Sequence, residues 1–438
     1  MPRHRHRVAG RLADLRLWTL IGLNSFGGPA GQIAVMHREL VDRRQLIAED
    51  RFVHALNFCM LLPGPEAQQL ATYLGWLTRG VRGGLIAGLL FIAPGAIIML
   101  GLSIAYATAG TLPLVTSLVL GLQCAVIALV LQAVVRVGRR TLRSPALVAI
   151  AAGAFISVTV LHVPFPAVII AAALAGWLIG VRRSPVPAAA GPVPLESPAP
   201  EPSASAESAP PRTRPALITA AGCAVLWLVP LALLLLLLGT GSIYTQQAVL
   251  FSTTAIVSFG GAYAVLGYVA QQAVGGYGWI SARDMTTGLG LAETTPGPLI
   301  LVVQFIAFIA CYQSPGNLPP IIAGCLGSLV ALWMTFAPCF MFVFAGAPYV
   351  ERLRTFAPLH SALTGIGAAV TGVIASLAVL FMTSTLFSRW PTLSSLRPVP
   401  LAISLIAVIV VFVLKRGTAT VLLTCCALSI VAGLLPVS

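Results

Sequence analysis

The sequence predicts an all-α polytopic membrane protein that contains two inverted-topology repeats, helices broken at Pro-Gly-Pro, and about 13 membrane segments. Three observations predict this fold class. The composition is strongly apolar, apolar runs of membrane-spanning length follow one another along the chain, and two short motifs recur at one fixed spacing.

The composition excludes most soluble protein classes. Of the 438 residues, 58% are hydrophobic and 9% are charged, and the mean hydropathy is +0.95. A soluble chain carries about 25% charged residues, so a soluble enzyme and a disordered protein are excluded. The net charge of +14 lies in short loops between apolar runs. Basic loops of this kind are orientation signals, and no nucleic-acid partner is expected.

The remaining composition indicates no cofactor and no metal. Eight cysteines lie almost entirely inside apolar runs and form no Cys-x-x-Cys pair; we expect buried thiols. The arginine-rich N-terminus is not followed by a short apolar core and a small-residue cleavage site, so no cleavable signal peptide is predicted. We expect a cytoplasmic N-terminus and a multi-pass protein of the inner (cytoplasmic) membrane, in contact with the lipid bilayer.

A bilayer crossing needs about 20 apolar residues. Eleven runs are interpreted as spans: 14–36, 84–108, 114–135, 145–161, 165–181, 216–238, 246–272, 317–345, 360–383, 398–414 and 418–436. Two more apolar segments, near 50–78 and 283–312, are each interrupted by Pro-Gly-Pro.

The domain organisation follows from a change in composition. Residues 183–215 are rich in Pro, Ala and Ser and have no hydrophobic period, which is typical of a flexible linker. We expect a first repeat over 1–182, this cytoplasmic linker, an extra transmembrane helix over 216–239, and a second repeat over 240–438.

Two motifs identify the repeat. Ser25-Phe26-Gly27-Gly28 recurs as Ser258-Phe259-Gly260-Gly261, and Pro63-Gly64-Pro65 recurs as Pro296-Gly297-Pro298, both at an offset of 233. Phe91-Ile92-Ala93-Pro94 further matches Phe336-Ala337-Pro338 if the intervening loop of the second copy is 11 residues longer. Two matches at one spacing and in one order are not expected by chance.

Loop charge indicates that the copies have opposite orientation. In the first copy, arginine-rich loops alternate with uncharged loops, and in the second copy this pattern shifts by one crossing, although Arg389 and Arg397 oppose the shift. The unpaired span at 216–238 would invert the second copy, and inverted repeats are a transporter architecture. Counting each broken segment as one crossing gives 13, with the N-terminus inside and the C-terminus outside. If Pro-Gly-Pro instead forms a re-entrant hairpin, parity requires the Gly-Gly segment before it to turn back as well. The sequence leaves both alternatives open.

The broken helices predict an anion site. Pro ends the preceding helix and favours the first turn of the next, so each break starts a half-helix with free N–H groups and a positive dipole end. A tight turn that only packs is the alternative. The expected substrate-binding residues are the two motifs and the polar residues near the breaks: Ser25, Phe26, Gly27, Gly28, Pro63, Gly64, Pro65, Gln68, Gln69, Thr72, Ser258, Gly260, Gly261, Thr294, Thr295, Pro296, Gly297 and Pro298.

Two carboxylates are candidate coupling groups. Glu66 follows the first Pro-Gly-Pro, and Glu293 precedes the second by three residues. Carboxylates within membrane segments are rare and usually functional, although Glu66 could also act only as a helix cap. Arg43 and Arg44 belong to a charged run over 37–51 that is expected to be a solvated loop; they are candidates for an entrance that attracts anions.

Some of these residues resemble a known family. The signature of the chromate transporter superfamily resembles three features of this chain: Phe26-Gly27-Gly28-Pro29, His37 and the run from Leu61 to Trp76. The resemblance covers both halves, about residues 12–182 and 240–436. The resemblance implies a long-chain, two-domain exporter of chromate that confers chromate resistance, is coupled to protons or anion exchange, and has sulfate as a competitor. The second copy departs from the signature, because Ala262, Ala270 and Leu299 replace Pro29, His37 and Glu66. The first copy is therefore expected to hold the coupling group.

The function classes that remain are unequal. A membrane hydrolase would need a nucleophile–base pair or metal ligands within spans, and the sequence offers neither. A passive channel for sulfate or another tetrahedral oxyanion tolerates the same breaks but gives Glu66 no reason to titrate. No Walker sequence is present, so a primary pump is excluded. The oligomeric state is left open, with a homodimer as one candidate.

Overall fold

A computed structural model describes residues 15–182, 213–259, 262–347, 357–389 and 391–434. Within these ranges the regular elements are helices, as predicted for an all-α protein. Most of the predicted linker, the glycines Gly260 and Gly261, and the residues after 434 lie outside the described ranges.

Residues 15–182 contain seven α-helices. They are α1 (15–23), α2 (Gly28–His37), α3 (Glu49–Cys59), α4 (Glu66–Ala109), α5 (Pro113–Thr141), α6 (Pro145–Thr159) and α7 (Phe165–Arg182). A π-helical segment, Arg38–Arg43, continues α2. Arg79 and Gly80 have non-helical backbone angles and divide α4 into a short arm (66–78) and a long arm (81–109).

The described part of the second half contains nine more. They are α8 (Thr213–Leu238), α9 (Ile243–Val257), α10 (Ala262–Ala270), α11 (Ala282–Thr294), α12 (Val302–Gln313), α13 (Pro320–Gly346), α14 (Ala357–Leu386), α15 (Pro398–Phe412) and α16 (Thr418–Leu434). A π-helical segment, Gln271–Gly276, follows α10, and a 3₁₀ turn, Leu299–Leu301, precedes α12.

The helices have the length and apolarity of membrane spans. Five described helices can cross a bilayer by length and composition: Glu66–Ala109, Pro113–Thr141, Leu217–Leu238, Pro320–Gly346 and His360–Leu386. Shorter apolar helices accompany them. In α8 the side chains of Leu236 and Leu237 are 81% and 78% exposed, which suits a surface that faces lipid. The chain is a multi-pass membrane protein.

Each Pro-Gly-Pro segment folds back on itself. The rings of Phe58 in α3 and Tyr73 in α4 are 5.0 Å apart, although 15 residues separate them. In the second half, a Cβ on Gly288 of α11 would lie 2.5 Å from the Phe305 ring of α12. A continuous helix would place residues 15 apart at a distance of about 22 Å. Of the two alternatives, the geometry is that of the hairpin.

The Gly-Gly segments interrupt what the sequence predicts as single spans, 14–36 and 246–272. Gly27 and Gly28, between α1 and the body of α2, have φ values of +82° and +71°. Glycine suits this left-handed conformation because other residues rarely adopt it. Leu15 lines a cavity with Arg79 near the start of α4's long arm, whereas Gly22 packs against Leu90 deeper along that arm.

The chain then comes back on itself in both halves. His37, at the end of α2, bonds Glu49 at the start of α3 (Nε2 to Oε2, 2.7 Å). In the second half, the Tyr244 hydroxyl of α9 donates to the Ala323 carbonyl at the start of α13. After α10, Gln271 Nε2 donates to the Val163 carbonyl in the turn before α7. These contacts agree with Gly-Gly segments that turn back, as the hairpin alternative requires; the number of membrane crossings stays a prediction.

The two halves interlock. Helix α5 packs against α15 and α16 of the second half, and α14 packs against α6 and α7 of the first. The starts of α5 and α14 differ by 244 residues, the same separation as Pro94 and Pro338. The starts of α6 and α15 and those of α7 and α16 both differ by 253. Equivalent helices thus follow one another in the same order in both halves.

Candidate functional site at the paired helix breaks

The two Pro-Gly-Pro breaks are joined to the opposite Ser-Phe-Gly-Gly turns by reciprocal backbone hydrogen bonds. The Gly64 N–H donates to the Ser258 carbonyl (2.9 Å), and the Gly297 N–H donates to the Ser25 carbonyl (2.8 Å). The motifs that repeat in sequence therefore meet crosswise in space. These two N–H groups serve the contact between the halves, so the donors left for a ligand are those of the following helical turns.

Local chemistry explains why glycine occupies both breaks. Gly64 and Gly297 have φ values of +129° and +94°, where L side chains are strained. A Cβ on Gly64 would also lie 2.5 Å from Gln69 Nε2 and 3.0 Å from Cys339 Sγ. The corresponding neighbour in the other half is Gly95, whose added Cβ would collide with the Pro296 carbonyl. Close neighbouring atoms and a positive φ thus favour glycine at each break.

The polar residues after the first break are buried and mostly serve the break itself. Gln69 Nε2 donates to the Pro63 carbonyl at 2.6 Å, and Gln68 Nε2 donates to Thr72 Oγ1 at 3.0 Å. The Oε1 atoms of Gln68 and Gln69 are buried without a hydrogen-bond partner. Pro65, the N-cap of α4, provides no side-chain cap, so the first-turn N–H groups of the half-helix remain available.

The Ser-Phe-Gly-Gly turn presents an open surface. The Ser25 hydroxyl is buried and donates to Ile21 O at 2.6 Å, whereas the Phe26 side chain is 48% exposed. A Cβ on Gly27 or Gly28 would meet no atom within 4 Å. The side chain of Ser258 is buried. Gln32 Nε2 donates to the Gly297 carbonyl at 2.6 Å, a role that the sequence analysis missed; a glutamine one turn after the Gly-Gly pair was the available signal.

The two breaks differ in exposure. Pro63, Pro65 and Glu66 are half-buried, whereas Thr295 and the whole of Pro296-Gly297-Pro298 are buried. Thr294 is exposed, and its hydroxyl donates to Leu291 O at 2.7 Å. The first break therefore borders an opening, and the second is walled in by protein.

Both candidate coupling carboxylates lie beside the breaks, in different surroundings. Glu66 is the first residue of α4 and has no equivalent in α12, where Leu299 stands. Glu293 is buried, and Tyr263 Oη donates to its Oε1 at 2.5 Å. Two arginines of α5 act on them electrostatically, Arg140 on Glu66 and Arg136 on Glu293. In the sequence alone, these arginines look like the positive charges of a loop between membrane spans, and no pattern marks Tyr263.

The predicted entrance arginines belong to an ion-pair network. Arg43 Nη1 lies 2.8 Å from Glu39 Oε1, and Arg44 Nε lies 3.7 Å from Glu39 Oε2, with Glu39 buried in the π-helical segment. His37 lies 3.3 Å from Asp42 and also bonds Glu49. The role of Arg43 and Arg44 as an anion entrance stays a prediction.

Multi-pass apolar helices whose breaks meet beside two carboxylates are features of a membrane transport protein. Within that class the chain belongs to the chromate transporter family, whose sequence profile, described as "Chromate transporter", matches residues 14–177 and 245–434.

Individual relatives are similar over most of their length. A chromate transport protein of Pseudomonas aeruginosa is 30% identical over 364 residues, 82% of this chain and 78% of the relative. A chromate transport protein of Cupriavidus metallidurans is 26% identical over 366 residues, 84% and 80% of the two chains. A probable chromate transport protein of Synechococcus elongatus is 25% identical over 380 residues, 82% and 81%. No solved structure matches this chain.

Proposed function

We propose that the protein is a secondary active transporter that exports chromate across the cytoplasmic membrane, confers chromate resistance, and is coupled to protons or to anion exchange. The observation that carries the proposal is the crosswise pairing of Gly64 with Ser258 and of Gly297 with Ser25, beside two carboxylates. The substrate is taken from the relatives, which are named chromate transport proteins.

The proposed architecture is a pair of inverted repeats, 1–182 and 240–438, joined by a cytoplasmic linker over 183–215 and an extra transmembrane helix over 216–239. The common order of equivalent helices, with start offsets of 244, 253 and 253, and the reciprocal bonds at the breaks support two equivalent halves. The single unpaired helix α8 supplies the odd crossing that inverts the second half. With four re-entrant segments and nine crossings, the number of membrane segments is 13, with the C-terminus outside.

The chemistry of the site suits a tetrahedral oxyanion. The half-helix that starts at Glu66 directs uncapped N–H groups and a positive dipole end toward the half-exposed break. Gln68, Gln69 and Thr72 are buried behind these N–H groups and hold the break in place through their own hydrogen bonds. The N–H donors recognise charge and shape, which chromate shares with sulfate, so sulfate is the expected competitor and a transporter or channel for it is the alternative function.

The carboxylates link anion transport to protons. An ionised Glu66 repels an arriving dianion, whereas a protonated Glu66 does not, so anion and proton binding favour each other. An inside-negative potential favours anion efflux by about 2.3 kcal/mol per elementary charge per 100 mV. Each proton that is exported with the dianion lowers the net negative charge that leaves the cell by one. The number of protons therefore sets how strongly the potential drives export.

The direct test uses everted membrane vesicles, whose cytoplasmic face is outside. Uptake of radiolabelled chromate should depend on an imposed membrane potential or pH gradient and should be inhibited by sulfate. Vesicles without the protein are the control. Chromate uptake equal to this control would overturn the proposal, and sulfate uptake without chromate uptake would favour the alternative.

A further inference from the structure

Two arginines of α5 lie beside the paired breaks without being part of either repeated motif. Arg136 and Arg140 are one helical turn apart near the C-terminal end of α5, and both are exposed. Residues at this spacing lie on one face of a helix with Cβ atoms about 5–6 Å apart. The two guanidinium groups can therefore act on one ligand.

Each arginine interacts with residues beside a different break. Arg140 Nη2 lies 4.0 Å from Met60 Sδ, just before the first Pro-Gly-Pro, and it attracts Glu66 electrostatically. Arg136 attracts Glu293, which lies just before the second Pro-Gly-Pro. It also acts electrostatically on Tyr263, which donates a hydrogen bond to Glu293. The arginine pair thus acts electrostatically on both carboxylates, Glu66 of the first half and Glu293 of the second.

Neither arginine is closed onto its carboxylate. Among the described residues, every ion pair within 4.0 Å belongs to the network of residues 37–49. Arg136 and Arg140 therefore keep their N–H groups free of carboxylate contacts. Guanidinium groups bind tetrahedral oxyanions through two parallel N–H···O bonds, and an exposed pair offers two such forks.

We propose that Arg136 and Arg140 form an anion-loading site that takes dianionic tetrahedral oxyanions, such as chromate or sulfate, before they reach the helix breaks. This inference rests on the proposed function and deepens it. The two arginines carry a charge of +2, which matches a dianion when Glu66 and Glu293 are protonated. When both carboxylates are ionised, the four groups sum to zero and the anion loses its electrostatic advantage.

The loading site exists at one end of the molecule only. At the helix offset of 244, the equivalents of Arg136 and Arg140 in α14 are Leu380 and Ser384. Leu380 lines a cavity of about 670 Å³ together with His162 and Gln271, near the turn between α6 and α7. In the proposed topology the arginine end of α5 is cytoplasmic. A site on this side alone suits an exporter, which collects its substrate there.

The test compares the two sides of the membrane in reconstituted or native vesicles. For Arg136→Lys and Arg140→Lys, which keep the charge and lose the fork, the KM for chromate on the cytoplasmic side should rise at least tenfold. For the double change to Gln it should rise further. The KM measured from the opposite side in right-side-out vesicles should remain within twofold of the wild type.

Arg82→Gln is the matched control, since it removes one positive charge from an exposed position on another helix, the long arm of α4, at the end that the proposed topology makes cytoplasmic. Its cytoplasmic KM should stay within twofold of the wild type. A rise in cytoplasmic KM in Arg82→Gln as large as that in the double change of Arg136 and Arg140 to Gln would show a general charge effect and overturn the loading site. An unchanged cytoplasmic KM in both Lys variants would overturn it too. Wild-type vesicles that transport no oxyanion would instead refute the proposed function itself.

Discussion

At the scale of single residues, the two candidate carboxylates have different surroundings. Glu66 begins a half-helix at the half-exposed break and lies near Arg140 and Cys59. Glu293 is buried and already holds a hydrogen bond from Tyr263. A carboxylate that meets the opening can exchange protons with water, whereas one fixed by a tyrosine mainly stabilises its surroundings.

We expect Glu66→Gln to keep chromate transport but to lose its response to a pH gradient. The amide imitates the protonated carboxyl group in shape and charge, so the anion can still bind while no proton accompanies it. Rates in everted vesicles with and without the gradient should become equal. Glu293→Gln, the control, should be milder and keep most of the gradient response. An unchanged response in Glu66→Gln would leave Glu66 as a helix cap.

The glycines allow a second prediction at this scale. Gly64→Ala combines a strained φ of +129° with a Cβ 2.5 Å from Gln69 Nε2. Strain of this kind costs about 1–2 kcal/mol before any clash, so the melting temperature in detergent should fall.

Gly28 provides the comparison. A Cβ there meets only open space, so Gly28→Ala should melt closer to the wild type. Gly28→Val should block the close approach of an anion, and it should abolish export while the protein stays in the membrane; we expect the same for Gly261→Val, outside the described residues. Normal chromate resistance with Gly28→Val at normal expression would show that the turn only packs.

At the scale of elements, the re-entrant hairpins decide how the helices are placed. The short arm of α4 returns along α3, as the contact between Tyr73 and Phe58 requires. It then turns again at Arg79 and Gly80 into the long arm. In the proposed topology both ends of a hairpin lie on one side of the membrane. The half-helix then starts within the protein and leaves its free N–H groups near an opening.

Labelling by a membrane-impermeant maleimide tests the hairpins. In intact cells, Tyr277→Cys and Asn317→Cys, on either side of the second break, should both react. Arg51→Cys and Arg82→Cys, on either side of the first break, should both stay unlabelled until the membrane is opened. The parent chain with its own cysteines gives the background. Opposite labelling within either pair would mean that the broken segment crosses the membrane.

At this scale the sequence predicted the breaks but not their direction. Pro-Gly-Pro and the Gly-Gly pairs mark where a helix must end, since they remove donors or require positive φ. The choice between a crossing and a hairpin depends on packing between residues far apart in sequence, such as Gly288 and Phe305. Hydropathy holds no information on such contacts, and this left both topologies open.

The site shows the same limit. Glu66 and the repeated motifs stand out in sequence because they are unusual in apolar surroundings. Arg136 and Arg140 do not, since arginines at the end of a membrane helix are also what loop orientation predicts. Tyr263 and Gln32 gain their roles only through partners in distant segments, Glu293 and Gly297.

At the scale of the whole molecule, neither half makes the site alone. The first break depends on Ser258 and Cys339 of the second half, and the second break depends on Ser25 and Gly95 of the first. The helices that follow exchange partners in the same manner, α5 with α15 and α16, and α14 with α6 and α7. We propose that this exchange is the contact of two repeats of opposite orientation.

The most direct measurement of that claim is a topology assay with a reporter that is active only outside the cytoplasm. Fused in the linker near Glu201 it should be silent, and fused after Leu435 it should be active, because α8 adds one crossing and inverts the second half. Reporter level in the membrane is the control for both fusions. Equal activity at the two positions would contradict inverted repeats and, with them, the account of a site shared between opposed halves.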